Sequence, residues 1–558
     1  MVQIKHYILF LLFVINSTLA LTQIAPDKYC IYFTDKANSG FSTDTPEDFL
    51  SDRAILRRQK QNILISTNDL PLAQTYVDSV ESFGITVLNK SKWLNCVTVE
   101  VSDLSMLDSL IGVSFIKQIK NISVENSSTI GSNKFPILTS MKSIVKTKAE
   151  SELDYGQADG QITMLNGHIL HNLGFQGEGM LIAITDGGFY KADVNTAFDS
   201  LRINNQIKIT KNFVHGGEYV YGYHEHGAQV LSIIAANKPG QIIGTAPKAD
   251  YLLLLTEDVS SEYRIEEYNW ISAAEYADSC GADVINVSLG YNTFTDTDQN
   301  YTYSDMDGET SIISTGADIA ASKGMLVVCS AGNEGYTSWH FIATPADADS
   351  VLTVGAVDGS GIYASLSSTG PTYDGRIKPN IVAQGSGTTY YSSSEYVSTG
   401  NGTSFSAPII SGLVACFWQA NPSLTNMEII DYIERSASQY LFPDSLLGHG
   451  IPDFALANLL TNNISYNDFS NDNLVSIFPN PFNNDFVIDF YSADSQTVFV
   501  QIFDMLGKLK FQKEIDLNIT SYNRIKFDDA DSLESGIYYI KFTSSTNSFI
   551  KKIIKKNS

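Results

Sequence analysis

Four polar residues stand where apolar runs meet glycines. They are Asp186 in Ile184-Thr185-Asp186-Gly187-Gly188 and His226 in His226-Gly227-Ala228-Gln229-Val230. Asn333 ends Ser330-Ala331-Gly332-Asn333, and Ser404 lies in Gly402-Thr403-Ser404-Phe405-Ser406-Ala407-Pro408. A serine at the start of a helix has unpaired backbone N–H groups and a favourable dipole beside it. Its hydroxyl can attack a carbonyl, and its own N–H can hold the oxyanion that forms. A histidine takes the serine proton near neutral pH. A buried carboxylate fixes that histidine's tautomer and stabilises the imidazolium. The Asn333 amide supplies a second oxyanion donor. Each residue alone also has a plain reading: Asp as a turn cap, His as packing, Ser as an N-cap. Together, in the order Asp, His, Ser, they favour nucleophilic acyl chemistry.

The elements that must position these groups alternate. The sequence predicts strands at Met180–Thr185, Tyr251–Leu255, Asp283–Val287, Met325–Ser330 and Val351–Val357. It predicts helices at His226–Ala236, Tyr268–Ser279 and Ile409–Ala420, with another ending at Asp318–Ser322. Such alternation implies a mostly parallel sheet with helices on both faces. Sites then fall at the carboxyl ends of the strands. Asp186 and Ser330-Ala331-Gly332-Asn333 both follow predicted strands.

Other polar clusters are weaker. His224 and His226 flank Glu225, a conceivable zinc pair with no third ligand cluster. His168 and His171 share a helix face that reads as solvated or packed. Asp305, Asp307 and Glu309 have oxygen-ligand spacing for calcium, but an acidic surface loop is the better reading.

The chain has 558 residues, enough for roughly two to four domains. It is 43% hydrophobic and 17% charged, a globular balance. A net charge of -25 argues against non-specific nucleic-acid binding. Lys5 and His6, the apolar run 8–15 and Ser17-Thr18-Leu19-Ala20 make a cleavable signal peptide over residues 1–20. No other stretch reads as a transmembrane segment. Five cysteines (Cys30, Cys96, Cys280, Cys329 and Cys416) make no disulfide framework and no metal pattern. Cys329 and Cys416 fall in buried patterns and read as core, leaving room for one bridge at most.

Residues 21–150 read as a small α+β unit. It has strands at Cys30–Phe33 and Val97–Val101 and helices at Pro46–Gln59 and Leu72–Phe83. A Ser/Lys/Thr-rich linker follows at Asn126–Lys148. Leu460–Asn473 reads as a second linker. Residues 475–558 read as a small β-sandwich, with strands at Val475–Phe478, Phe486–Phe490, Val498–Phe503, Ile537–Phe542 and Phe549–Ile554.

The motifs around Asp186, His226, Asn333 and Ser404 resemble the signatures of subtilisin-like serine proteases over roughly residues 155–457. The resemblance implies a secreted serine endopeptidase with Asp186, His226 and Ser404 as its triad and Asn333 as oxyanion donor. Ser288-Leu289-Gly290 resembles the edge strand that pairs with the substrate backbone. With Ser330, Ala331 and Gly332 it would wall the primary specificity pocket. The family commonly has Thr after His-Gly, where this chain has Ala228. Phe49-Leu50-Ser51-Asp52-Arg53-Ala54 and Ser91-Lys92-Trp93-Leu94-Asn95 resemble the pro-region of Bacteroidetes-type secreted subtilases. That implies folding assistance and temporary inhibition. Ile477-Phe478-Pro479-Asn480-Pro481, Phe503-Asp504-Met505-Leu506-Gly507-Lys508 and Ser535-Gly536-Ile537-Tyr538-Tyr539 resemble the type A sorting domain of the type IX secretion system.

The expected order is signal peptide 1–20, pro-region 21–150, peptidase domain 155–457, linker 458–474 and sorting domain 475–558. Expected partners are protein or peptide substrates and the type IX machinery, with no nucleic acid. The expected location is the cell surface or medium, reached through periplasm and outer membrane. No cofactor is expected to take part in the chemistry and no metal ligand is assigned, while the family leaves room for structural calcium. Two rivals remain: a catalytically dead surface-displayed binding protein, and an esterase using the same triad.

Overall fold

A computed structural model describes residues 28–122, 134–135, 152–461 and 473–556, apart from 484, 493–495, 518–520, 528–532 and 544–547. The predicted signal peptide and most of both predicted linkers lie outside the described residues.

The N-terminal unit is a four-stranded antiparallel sheet with helices packed on it. Its strands are β1 (Lys28–Phe33), β2 (Thr86–Ser91), β3 (Cys96–Glu100) and β4 (Ile116–Asn121), in the order β2-β3-β1-β4. The two predicted helices are present with different bounds. The Pro46–Gln59 prediction breaks at Ser51, whose hydroxyl accepts from Ala54 N and caps helix α1 (Asp52–Lys60). The second is α2 (Gln74–Ser82).

The central domain is built on seven parallel strands. They are β5 (Leu181–Asp186), β6 (Ile207–Asn212), β7 (Asp250–Leu255), β8 (Val284–Val287), β9 (Leu326–Ser330), β10 (Leu352–Val357) and β11 (Ile381–Gln384). The order is β11-β10-β9-β8-β5-β7-β6. Every residue of β5, β8, β9, β10 and β11 is buried, as continuous apolar runs covered on both faces require. Helices α3 (His226–Ala235) and α6 (Thr403–Ala420) supply the core on one face. Helices α4 (Ile265–Cys280) and α5 (Ile312–Ser322) supply it on the other. A hairpin of β12 (Ser386–Tyr391) and β13 (Val397–Asn401) leads into α6.

The C-terminal unit pairs a three-stranded and a four-stranded antiparallel sheet. Phe486 and Ile488 from one sheet and Val500, Ile502, Ile540 and Phe542 from the other share one core. That is the expected sandwich. No helix among the described residues is long and apolar enough to cross a membrane. All five cysteines are free.

Candidate active site

Asp186 ends β5 beside the middle of the sheet, and Trp270 Nε1 donates to Thr185 Oγ1 to steady the strand end. His226 opens α3. Its Nδ1 lies 2.8 Å from Asp186 Oδ2 and 3.0 Å from Oδ1, and Gly187 N donates to Oδ1 at 2.7 Å. Both side chains are almost wholly buried. The close approach needs a glycine at 227. A Cβ there would meet Gly188 O at 2.4 Å and Asp186 Cβ at 2.9 Å.

Ser404 is the second residue of α6. The helix begins at Thr403, six residues before the predicted start at Ile409. No side chain caps it, so the Ser404 hydroxyl does not serve as an N-cap. Pro408 sits inside α6 and lacks the N–H that would bond to the carbonyl four residues back. That carbonyl belongs to Ser404, and it accepts from Ser288 Oγ at 3.0 Å instead. Ser288 is held in turn by Asn286 Nδ2, and Asn286 by Ser411 Oγ. Asn286 and Ser411 were missed in the sequence because a buried polar pair inside apolar runs carries no local signature.

Asn333 follows β9. Its Oδ1 accepts from Thr403 N at 2.8 Å and Thr403 Oγ1 at 3.1 Å, which fixes the amide beside the start of α6. Thr403 Oγ1 also bridges to Gly332 N and O, each at 3.1 Å. A Cβ on Gly402 would sit 3.0 Å from Ser404 Oγ and 3.6 Å from Asn333 Nδ2, so the serine and the amide converge over that glycine.

One cleft of about 520 Å³ gathers His226, Ser404, Asn333, Ser288, Leu289, Gly290, Ser330 and Gly332. Ala331 lies fully buried behind it, with its N–H on Val354 O. Ser404 Oγ and His226 Nε2 share the cleft without a hydrogen bond between them. Such contacts commonly tighten only with substrate bound. Ala228 is buried and packs into the core beneath α3.

The weaker clusters resolve as structural. His224 Nδ1 accepts from His226 N. His171 bonds Tyr155 OH at 2.6 Å and Thr245 O at 2.9 Å inside the core. Asp305 is engaged in a capping box with Thr302, and Asp307 accepts from Glu309 N, Thr310 N and Thr310 Oγ1. Those carboxylates turn inward on their own loop and do not form an oxygen cage.

Two residues of the stretch read as a linker, Lys134 and Phe135, also enter the cleft. The Phe135 ring stacks on His226 with centroids 4.1 Å apart. Lys134 Nζ lies 3.0 Å from Glu257, 3.3 Å from Glu262 and 2.6 Å from Glu266. Burial pushes Glu262 up to about 7 and Glu266 well above the carboxylate range, with Lys134 opposing both shifts. Burial alone would lower Lys134; the three carboxylates overcome it and raise the ammonium's pKa. Glu257 follows a strand end, Glu262 lies in the loop before α4 and Glu266 in its first turn. A carboxylate just after a strand end is the one signal that could have found the group.

The N-terminal unit grips α4 and the turn after it. Arg57 and Arg58 both reach Asp278, and Arg58 also pairs with Asp69 at 3.0 Å. Glu275 accepts from Ser91 Oγ, Lys92 N and Trp93 N. Ser51 and Arg53 of the first pro-region motif and Ser91, Lys92 and Trp93 of the second lie in this interface.

Residues 177–450 match the subtilase family model. Subtilisin E of Bacillus subtilis (strain 168) is 30% identical over 297 residues, 52% of this chain and 68% of that protein.

The chain belongs to the subtilase family.

The subtilisin of Bacillus pumilus is 30% identical over 297 residues, covering 94% of that protein. Subtilisin Savinase of Lederbergia lenta is 28% identical over 282 residues, 50% of this chain and 91% of that protein. Residues 28–134 match the peptidase S8 propeptide domain of Bacteroidota, and residues 476–556 match the secretion system C-terminal sorting domain. This subtilase is a serine endopeptidase with a propeptide. It carries a sorting tail that marks it for the cell surface or the extracellular space.

Proposed function

We propose that Ser404 is the nucleophile of an endopeptidase reaction, with His226 as general base and Asp186 as its orienting carboxylate. The buried pair of His226 Nδ1 and Asp186 Oδ2 at 2.8 Å, opening onto the cleft that holds Ser404, carries this reading. The pair fixes the imidazole so that Nε2 is the nitrogen left to take the serine proton. Ser404 Oγ attacks the peptide carbonyl. The oxyanion is received by Ser404 N and Asn333 Nδ2, whose aim is set by the Thr403 bonds to Oδ1. His226 then gives its proton to the leaving amine, and water repeats the sequence on the acyl-enzyme.

Ser288, Leu289 and Gly290 are proposed to hold the substrate backbone, with Ser330, Ala331 and Gly332 walling the adjacent pocket. These steps draw on protein groups alone, and calcium, where bound, is structural. We take residues 1–20 as signal peptide, 21–150 as pro-region, 155–457 as peptidase domain, 458–474 as linker and 475–558 as the sorting domain read by the type IX machinery. Phe135 over His226 supports a resting precursor whose own chain covers the catalytic histidine.

Asp186→Asn tests the triad. It keeps the shape but favours the wrong tautomer, so kcat on a peptide should fall by roughly 10⁴ with KM little changed. A fall below tenfold would remove Asp186 from the mechanism.

A further inference from the structure

The cleft contains more carboxyl groups than the reaction uses. Glu257, Glu262 and Glu266 each bring a carboxylate oxygen within 4.8 Å of the others. The cage is held from behind. Glu257 Oε1 accepts from Tyr291 OH at 2.6 Å, and Glu266 accepts from Asp258 N at 2.8 Å and Tyr263 N at 3.2 Å. Glu257 is 2% exposed and Glu266 1% exposed, yet Glu257 Oε2 accepts no hydrogen bond. Among the described residues it faces one cation, Lys134 Nζ, at 3.0 Å. Ser261 O accepts from the same ammonium at 3.2 Å. Three carboxyl groups converge on one ammonium, a geometry that favours a cation over a neutral side chain. A buried carboxylate needs a cationic partner.

Position gives the cage its meaning. Lys134 is the chain neighbour of Phe135, whose ring lies on His226, and both line the cleft that holds Ser404. Any polypeptide following that path presents one side chain to His226 and the preceding one to the cage. We propose that Glu257, Glu262 and Glu266 form a lysine-selecting subsite for substrates, which Lys134 of the pro-region fills in the precursor. The inference rests on the proposed peptidase site. Lysine suits the cage better than arginine. An ammonium is a compact point charge with three donors, and the oxygens converge on one point; a guanidinium needs a planar, bidentate partner.

The test uses the activated, secreted protein and fluorogenic peptides with lysine or norleucine scanned through the positions before the scissile bond. Each is measured with and without a chelator, so that a divalent cation in the cage is also seen. The expected result is one position where lysine raises kcat/KM by on the order of tenfold to a hundredfold over norleucine, as for a charge-assisted hydrogen bond. In Glu257→Gln and in Glu266→Gln that ratio should collapse towards one. Because the ratio is taken within each variant, a general loss of activity cancels. A preference under either condition, lost in both variants, supports the subsite. Equal turnover of lysine and norleucine peptides under both conditions overturns it, as does a preference that both variants retain. If neither peptide is cleaved and Ser404 is not labelled by a fluorophosphonate, the peptidase reading itself has failed, and the subsite with it.

Discussion

Asp278 is the residue on which the attachment of the N-terminal unit turns. It belongs to α4 of the peptidase domain and is fully buried, and its two oxygens meet Arg57 and Arg58 from α1. Those guanidiniums are 4% and 1% exposed. In Asp278→Ala, Arg58 keeps Asp69 at 3.0 Å. Arg57 keeps only backbone carbonyls, those of Ala282, Lys323 and residue 278 itself. Breaking one side of a buried pair costs about 3–5 kcal/mol, because a charge is left uncompensated. At about 1.4 kcal/mol per tenfold, attachment weakens by roughly 150- to 5,000-fold. Arg53, paired with Asp283, is the control. Its side chain is 39% exposed, and Arg53→Ala should cost about 1 kcal/mol or less. Ser51 N donates to Ser279 O across this interface at 2.9 Å, so its amide reports detachment. Hydrogen exchange in full-length chain inactivated by Ser404→Ala should show Ser51 losing two to three orders of magnitude of protection in Asp278→Ala, as roughly that cost predicts. In Arg53→Ala it should lose less than about tenfold. Ser51 protection within threefold of the parent in Asp278→Ala would refute the reasoning. So would an equal loss at Val284–Val287 in the core, which would mean the domain itself had loosened.

Asn333→Ala removes one oxyanion donor, so kcat should drop by about 10²–10³ while KM stays nearly constant, read by steady-state kinetics on one peptide. Asp453 caps the helix Phe454–Leu460, accepting from Leu456 N and Asn166 Nδ2, and burial pushes it up to about 6. Its folded value lies above its unfolded value, so its contribution is most favourable below about pH 4 and is lost as pH rises through 6. Asp453→Asn keeps a capping side chain without the charge. Its thermal unfolding in the Ser404→Ala background should match the parent near pH 3 and exceed it at pH 8, by up to roughly 3 kcal/mol. Equal differences at the two pH values would count against a buried charge there.

Much of the fold and of the candidate site was legible in the sequence, for physical reasons that can be named. Strands β5, β7, β8, β9 and β10 are buried on both faces and so read as unbroken apolar runs. The edge strand β6, Ile-Lys-Ile-Thr-Lys-Asn, is only partly buried and carries Lys208 and Lys211, so it has no apolar run and escaped notice. β11 is only four residues long. The strand Leu509–Leu517 carries the exposed Lys510, Lys513, Glu514 and Asp516 and likewise has no apolar run. The start of α6 was hidden by Thr403-Ser404 and by Pro408, which argues against a helix until Ser288 is seen taking up the freed Ser404 carbonyl. Asp186, His226, Asn333 and Ser404 were legible because each sits beside glycines that close approach demands. The acidic cage was not, because its members come from a strand end, a loop and a helix start, and its cation comes from more than a hundred residues upstream.

The central claim is that Ser404, served by His226 and Asp186, is the nucleophile. The activated, secreted protein should be treated with a fluorophosphonate probe, the adduct mapped by mass spectrometry, and casein hydrolysis followed alongside. The account predicts one adduct, on Ser404, and loss of both labelling and hydrolysis in Ser404→Ala. Labelling at another serine, or hydrolysis by Ser404→Ala equal to that of the parent, would contradict it.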